Sequence, residues 1–173
     1  GDGRADQFKD FVDGLNLVTG VEFGYGGVFV LNPPYLLFYP DANHDDVPDG
    51  DPQVLLTGFG MEDAQAMSSH LTWGPDGWLY GVNGSTTTCH INGYEFQQGV
   101  WRYHPTRHEF EVFAHGTSNP WGLDFNDVGE AFVEACVIPH CFHIIQGGRY
   151  HRQGGQHFNP HTYADIQTIA DHR

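Results

Sequence analysis

The chain has 173 residues, of which 39% are hydrophobic and 14% aromatic, which is enough apolar material for one domain with its own core. Its 22 acidic and seven basic residues give a formal net charge of −15, which would repel a nucleic-acid backbone and an anionic membrane surface alike. This composition argues against disorder and nucleic-acid binding, whereas the acidic excess either suits calcium and neutral ligands such as sugars or simply keeps the surface soluble.

Turn-forming residues punctuate the whole chain. Twenty-three Gly and ten Pro residues separate short runs of β-branched and aromatic residues, which predicts an all-β fold of many short strands. The three cysteines are too few for a disulfide scaffold, and neither CxxC nor the haem motif CxxCH occurs. Cys136 and Cys141 flank a short connection, where they either pair in an oxidising compartment or stay free. The sequence has no signal-peptide pattern and no apolar run long enough to span a bilayer.

Three stretches of the chain align in register on one glycine. They are VEFGYGGVFV at 21–30, LTWGPDGWLY at 71–80 and LDFNDVGEAF at 123–132. Each has an apolar residue first, an aromatic residue third and glycine seventh, and the aligned glycines are 50 and 52 residues apart. A repeat of about 50 residues made of strands predicts a β-propeller built from four-stranded blades.

Each repeat contains candidate strands that run from the propeller axis outward. The predicted strands are 19–23, 28–32, 35–39 and 54–57 in the first blade, 69–73, 78–82, 99–103 and 109–114 in the second, and 121–125, 131–135 and 141–145 in the third. Trp78 and Trp101 are predicted to pack between blades. Three blades cannot close a ring without leaving two apolar faces wet, so we expect residues 1–173 to be part of a propeller in a longer protein.

An acidic loop, DANHDDVPDGD, lies between the outer strands of the first blade and has the ligand spacing of an EF-hand-like calcium loop. Five oxygen donors fall at positions 1, 3, 5, 7 and 9, and the residues are Asp41, Asn43, Asp45, Val47 through its carbonyl, and Asp49. Because this loop is far from the axis, we expect a structural calcium ion. The alternative is a solvated acidic turn.

The calcium pattern has two departures and one partial repeat. Asp46 stands where the loop usually has its turn glycine, and Pro52 stands in place of the bidentate glutamate. Asp2 and Asp6 in GDGRAD match the second half of the acidic loop and predict a second, partial copy.

The connections at one end of the blades converge around the axis, where propellers bind ligands. In this chain they are 58–69, 83–98, 115–120 and 135–140. These segments, with the residue that directly follows two of them, supply the candidate site residues Glu62, Asp63, Gln65, His70, Asn83, Ser85, Thr86, His90, His115, Asn119, Trp121 and His140. The set suits a polyol, since carboxylates and amides bind hydroxyls and Trp121 offers a surface for a sugar ring.

The segment HCFHIIQGGRYHRQGGQHFNPH combines many imidazoles with two cations. Its histidines could ligate a transition metal, although their spacing matches no metal motif, or they could pack with the aromatics against the ring entrance. These histidines are His140, His143, His151, His157 and His161. Arg149 and Arg152 could hold an anionic cofactor.

Four stretches carry a resemblance to a known family, and they are GFGMEDAQAMSSHLTWGPDGWLYGVNGST, FQQGVWRYHP, SNPWGLDF and ACVIPHCFHIIQGGRYHRQGGQHFNPHTYADIQTIADHR. The chain resembles the membrane-bound dehydrogenase domain of Planctomycetes and related bacteria, and is more distantly similar to the soluble quinoprotein glucose and sorbosone dehydrogenases. The resemblance implies a six-bladed propeller that uses pyrroloquinoline quinone and calcium. It also implies a sugar or alcohol substrate, a periplasmic, envelope or secreted location, and an electron-accepting cytochrome c module elsewhere in the longer protein.

Two positions depart from the quinoprotein pattern. Those relatives place a histidine base shortly before the GPDG turn, where this chain has Gln65, with His70 nearby either as a substitute or as a structural residue. Their RNP-like stretch reads SNP here, so Asn119 is kept and Ser118 replaces the arginine. These departures favour an alternative function, a catalytically inert propeller that binds carbohydrate or a protein partner.

Overall fold

The computed structural model describes residues 2–136, 139–154, 157–158 and 164–170. These ranges contain fourteen β-strands and no helix. The strands form three successive sheets whose first strands lie side by side, and this arrangement confirms the predicted all-β, propeller-like fold. The described part of the chain accordingly has no helix long and apolar enough to cross a membrane.

Blade 1 is an antiparallel four-stranded sheet with its strands in chain order. Its strands are β1 (Gly20–Gly24), β2 (Gly27–Asn32), β3 (Tyr35–Pro40) and β4 (Gln53–Thr57). All six residues of β2 are buried, because blade 2 covers one face of the sheet and the N-terminal segment covers the other. This burial explains why β2 is apolar at nearly every position rather than at alternate ones.

Blade 2 has the same antiparallel meander and carries a small hairpin in one connection. In chain order the strands are β5 (Ser69–Trp73), β6 (Leu79–Asn83), the hairpin β7 (Cys89–Ile91) and β8 (Tyr94–Phe96), then β9 (Gly99–His104) and β10 (Glu109–Thr117). The turn GPDG joins β5 to β6, so the aligned hairpin is the inner half of this blade.

Blade 3 contains β11 (Pro120–Phe125), β12 (Ala131–Ala135) and β13 (Cys141–Ile144). The next strand, β14 (Arg149–Arg152), leaves this blade and pairs in parallel with β10 as a fifth strand of blade 2. The chain then returns, and Ala170 bridges Cys141 at the outer edge of β13.

Two apolar clusters hold the three blades together. Because side chains alternate along β9, Trp101 packs between blades 1 and 2 while Val100 packs between blades 2 and 3. Trp78 also lies in the second cluster, so both tryptophans pack between blades as predicted. Gly81 faces the Trp101 ring, where a Cβ would come within 2.2 Å of Cζ2, so only glycine leaves room for the indole.

A third cluster forms on the outer face of blade 1. Phe11, Val12 and Leu15 of the N-terminal segment pack against the buried Val28 and Val30. This contact shields part of the outer face of blade 1 from water, and that face carries apolar residues at alternate positions.

The three cysteines are all free thiols in this structure. Cys89 is buried within β7, and burial raises its pKa to about 11, so it is a packing residue rather than a nucleophile. Cys136 is exposed and Cys141 is half-buried, at the two ends of one connection. Cys136 and Cys141 are therefore not paired in this structure, which is one of the two alternatives that the sequence left open.

Candidate functional site

Loops from all three blades meet at one end of the sheets. In an antiparallel meander, the connection between the second and third strands and the connection to the next blade lie at the same end. The segments at this end include 58–68, 84–98 and 117–119, and we call this end the mouth. The first two segments are tied together by the Gly84 N–H, which donates to the Ala66 carbonyl at 3.1 Å.

Asn119 links the mouth loops through its side chain and its backbone. Its Nδ2 donates to the Gln65 carbonyl at 2.9 Å, and its Oδ1 accepts from the Ser85 N–H at 3.1 Å. Its carbonyl accepts from the Cys136 N–H at 2.9 Å. The neighbouring Ser118 hydroxyl donates to the Pro139 carbonyl at 2.7 Å. Asn119 is therefore a positioning residue that sets the spacing of the mouth loops.

The predicted carboxylates at the mouth hold the loop that follows β6. Thr86 donates its hydroxyl hydrogen bond to Asp63 Oδ2 at 2.7 Å, and the Gln65 N–H donates to Asp63 Oδ1 at 2.9 Å. These hydrogen bonds lower the pKa of Asp63, the bond from Thr86 most of all, so Asp63 stays ionised at neutral pH. Glu62 accepts from the Thr88 N–H at 3.3 Å.

A chain of hydrogen bonds continues across the mouth from this loop to β14. Gln97 donates through Nε2 to the Thr88 hydroxyl at 2.8 Å, and its Oε1 accepts from Arg152 at 2.9 Å. Arg152 also donates through Nε to the Gly154 carbonyl at 3.1 Å. With both ends of its amide engaged, Gln97 has a fixed orientation.

A polar cleft of about 420 Å³ opens beside this chain of hydrogen bonds. Its lining residues are Ser85, Thr86, Gln97, Gln153 and Gly154. The predicted Ser85 and Thr86 therefore share one cleft with two glutamines that sequence reasoning missed. We call this space the mouth cleft.

The predicted His115 and Arg149 lie on paired strands, and neither lines the cleft. His115 on β10 is in register with Arg149 on β14. Arg149 Nε donates to Asp165 Oδ1 at 2.8 Å, and His157 Nε2 lies 3.6 Å from the other oxygen of the same carboxylate. Burial, followed by the charges of Arg149 and Arg152, lowers the pKa of His115, so its imidazole is neutral at pH 7.

Other predicted residues lie apart from the mouth cleft. Asn83 is fully buried, where it accepts from Ser68 and donates to the Thr87 carbonyl. Its side chain therefore stabilises the core and is not accessible to a ligand. His70 Nε2 lies 2.8 Å from the Leu123 carbonyl across the contact between blades 2 and 3, which favours its structural alternative. Trp121 is 37% exposed at the start of β11, and His90 is exposed on β7.

The described histidines among the rest of the Gly- and His-rich segment lie on separate elements. His143 on β13 stacks on Phe132 at 5.0 Å, His151 is exposed on β14, and His157 lies beside Asp165. His161 lies outside the described residues. Within the described ranges, no group of three or more His, Cys, Asp or Glu side chains is arranged to hold a metal ion.

The acidic loop lies at the end of blade 1 opposite the mouth, and its side chains accept hydrogen bonds from its own backbone. Asp41 accepts from the Asp45 and Asp46 N–H groups, and Asp49 accepts from the Ala42 N–H. Asp46 has a φ of 60°, the left-handed conformation that the usual glycine adopts at this position. In the N-terminal partial copy, Asp2 accepts from the Arg4 N–H, and Asp6 is exposed. Calcium binding by either loop stays a prediction.

The positions that correspond to quinone contacts do not fit that cofactor. Gln65 has no group that accepts a proton, and its carbonyl is bound by Asn119. Ser118 provides no cation, its side chain is buried, and its hydroxyl donates to the Pro139 carbonyl. The Asn119 and Ser118 side chains stabilise loops, so we derive no step through a quinone.

Clefts of comparable size occur elsewhere in the described structure. One of about 420 Å³ lies between blades 2 and 3 at the end opposite the mouth, beside Phe113, Phe125 and Ile144. Another of about 470 Å³ lies under the N-terminal segment, beside Phe11 and Val28. Both have more apolar linings, whereas the mouth cleft is lined by polar side chains and one glycine.

The fold and the cleft together define a propeller-like protein with a polar pocket at the mouth of its blades. The family model described as domain of unknown function DUF7133 matches residues 1–173, so the chain belongs to that family. No curated protein matches the chain. It is similar to a solved X-ray structure described as a candidate gluconolactonase, at 12% identity and a TM-score of 0.39, over 86% of this chain and 69% of that chain.

Proposed function

We propose that this chain is part of a β-propeller that binds a sugar-type ligand in the mouth cleft. The observation that carries the proposal is the lining of the cleft, which consists of hydroxyl and amide side chains around a volume of about 420 Å³. Small-molecule sites have volumes of roughly 300–1,000 Å³, so a sugar ring fits in such a space. Hydroxyl and amide groups both donate and accept, which matches the hydroxyls of a polyol.

Hydrogen bonds around the cleft orient two of its lining side chains, Thr86 and Gln97. Thr86 donates its hydroxyl proton to the ionised Asp63, so towards a ligand hydroxyl the Thr86 oxygen acts as an acceptor through its lone pairs. Gln97 is held at both ends, so it loses little side-chain freedom when a ligand binds.

Replacement of Thr86 by valine tests this proposal, because valine keeps the shape and removes the oxygen. We expect the full-length chain to bind one or more sugars from a panel of neutral mono- and oligosaccharides in calorimetric titration. We expect Thr86→Val to weaken that binding about three- to tenfold, the effect of one hydrogen bond. Thr106→Val, in the exposed turn at the opposite end of blade 2, is the matched control and should leave the affinity unchanged. Binding of no sugar, or equal weakening by both variants, would contradict the proposal.

Oxidation of a bound hydroxyl is the second candidate function, and it rests on the resemblance. His115, in register with Arg149, has a neutral imidazole that can accept a proton from a hydroxyl group. The Gln65 and Ser118 positions do not fit the quinone that would take the electrons. Dye reduction by the full-length protein with sugar, calcium and pyrroloquinoline quinone tests this candidate, and absence of turnover with retained sugar binding eliminates it. A cytochrome c partner and a location outside the cytoplasm belong to this candidate and stay predictions from the resemblance.

We also propose that the acidic loop binds calcium and stabilises blade 1. Calcium at about 100 times its dissociation constant would add about 2.7 kcal/mol, so chelation is expected to lower the Tm by roughly 5–10 °C. Asp45→Ala should remove this sensitivity, whereas Asp51→Ala, outside the ligand spacing, should keep it. A wild-type protein whose Tm is unchanged by chelator would defeat the idea.

A further inference from the structure

A second cleft of about 420 Å³ lies between blades 2 and 3 at the end opposite the mouth. The turns that join β5 to β6, β11 to β12 and β13 to β14 all supply residues to its lining. The first two of these turns approach each other closely, since a Cβ on Gly129 would lie 3.2 Å from Pro75 Cγ. We call this space the lower cleft, and its buried floor contains Tyr80, Phe113, Ala131 and Ile144.

Aromatic rings dominate this part of the lining. The Tyr80 ring forms T-shaped contacts with Phe113 at 5.2 Å and with Phe125 at 5.1 Å. The faces of such rings attract organic cations. The protein already uses this property, because the Arg102 guanidinium lies 5.1 Å from the centre of the Phe113 ring and 5.9 Å from that of Tyr80.

Two carboxylates that line the lower cleft keep unused acceptor positions. Asp76 Oδ2 binds Arg102 and the Tyr80 hydroxyl, whereas Asp76 Oδ1 accepts one bond, from the Trp78 N–H at 3.2 Å, among the described residues. Glu130 Oε2 accepts from Asn126 at 2.9 Å, and Glu130 Oε1 lies 3.9 Å from His143 Nε2. The two side chains are 37% and 50% exposed. A carboxylate offers about four lone-pair sites, so both can accept further hydrogen bonds from a ligand.

Negative charge exceeds positive charge around the lower cleft. Asp76 and Glu111 both bind Arg102, and Glu130 adds a third carboxylate from the opposite wall. His143 is the other basic side chain among the described lining residues, and even its protonated form would leave the carboxylates in excess. The local charge therefore favours a cation and disfavours an anion.

We propose that the lower cleft binds a small organic cation, with its ammonium group at Asp76 and Glu130 and its apolar body against the aromatic rings. A primary ammonium group has three donors, which match the free acceptor positions of the two carboxylates. The cleft volume lies within the range of small-molecule sites. The lower cleft shares no lining residue with the mouth cleft, so this inference goes beyond the proposed sugar-binding function.

Calorimetric titration of the full-length chain with three matched probes tests the inference at neutral pH. Phenethylamine is the cation, phenethyl alcohol is its neutral counterpart and phenylpropionate is an anion of similar size. We expect phenethylamine to bind at least about tenfold more tightly than the alcohol, with a preference that falls as salt rises, and phenylpropionate not to bind. Equal affinity for the amine and the alcohol, or no binding of the amine, would overturn the inference.

Glu130→Gln connects the preference to the cleft, because glutamine keeps the shape and removes the charge. This variant is expected to weaken phenethylamine binding about three- to tenfold and to leave the alcohol unaffected. Glu95→Gln, at an exposed position of β8 in the small hairpin, makes the same change in net charge and is the matched control. Equal weakening by both variants would show that net charge alone attracts the amine, and would overturn the site.

An NMR titration of the wild-type chain locates the bound probe without any variant. Phenethylamine should shift the amide signals of Gly77 and Gly129, in the two turns that line the cleft, and unchanged signals there would overturn the inference. Thr86→Val, at the mouth, should leave phenethylamine binding intact. A sugar that displaces phenethylamine would also overturn the inference, because the two sites would then be one, whereas failure of all sugars to bind would affect only the proposed function.

Discussion

Trp101→Ala is expected to lower the free energy of unfolding by about 3–5 kcal/mol. Trp101 is fully buried between blades 1 and 2, where its ring lies 5.2 Å from Phe59 and 6.1 Å from Phe110. Truncation to alanine leaves a cavity that rigid sheets on both sides cannot close. Denaturant unfolding followed by circular dichroism measures the loss.

Two matched substitutions separate packing from other effects of losing a tryptophan. Trp101→Phe should cost less than the alanine variant, because it keeps an aromatic ring and removes an indole N–H that has no partner among the described residues. Trp121→Ala should cost under about 1 kcal/mol, since that side chain is 37% exposed. A Trp101→Ala protein as stable as wild type would mean that the contact between blades 1 and 2 is not the one described.

Arg102→Ala has the second largest expected effect, a loss of about 2–3 kcal/mol. The guanidinium donates to Asp76 at 2.9 Å and to Glu111 at 2.7 Å, and it lies 4.3 Å from the Trp78 ring. Removing one partner of a buried ion pair costs about 3–5 kcal/mol, and the smaller figure here reflects carboxylates that are more than a third exposed. Denaturant unfolding at neutral pH measures it.

Arg107 provides the control in the same hairpin. It forms an ion pair with Glu109, but both side chains are about half exposed, so Arg107→Ala should change stability by no more than about 0.5 kcal/mol. Equal losses for the Arg102 and Arg107 variants would show that burial of the Arg102 network contributes nothing.

The repeat in the sequence was sufficient to predict the blades. The glycine of the GPDG turn fixes one end of the hairpin and the alternating apolar residues fix its register, so the predicted 69–73 matches β5 at both ends. The other predicted strands of the three blades agree with the observed ones within a few residues. This success has a local cause, because each blade is a meander whose strands pair with their neighbours in sequence.

Strand β14 could not be predicted, because its partner is not its neighbour in sequence. RYHR has no apolar alternation of its own, and it becomes a strand only by adding to the edge of β10. The hairpin of β7 and β8 was missed for a different reason, since its strands have only three residues each. Both elements were interpreted as loop.

For the candidate site too, residues placed by the blade repeat were predicted, and residues placed by β14 or the small hairpin were not. Ser85, Thr86 and Asn119 were identified because blade topology alone places their loops at the mouth. Gln97 and Gln153 were missed because their positions depend on the small hairpin and on β14, respectively. Asn83 was included because it ends a strand at the mouth, and only the three-dimensional packing shows that its amide is fully buried.

Strand β14 also affects how the blades come apart. It belongs covalently to the chain of blade 3 and is hydrogen-bonded along β10 of blade 2, while Ile166 bridges its other side at Tyr150. Because β14 joins the chain of blade 3 to the sheet of blade 2, we expect the two blades to unfold together. We expect slow amide exchange to extend without a break from one blade into the next, and two residues that follow β14, Gln153 and Gly154, line the mouth cleft.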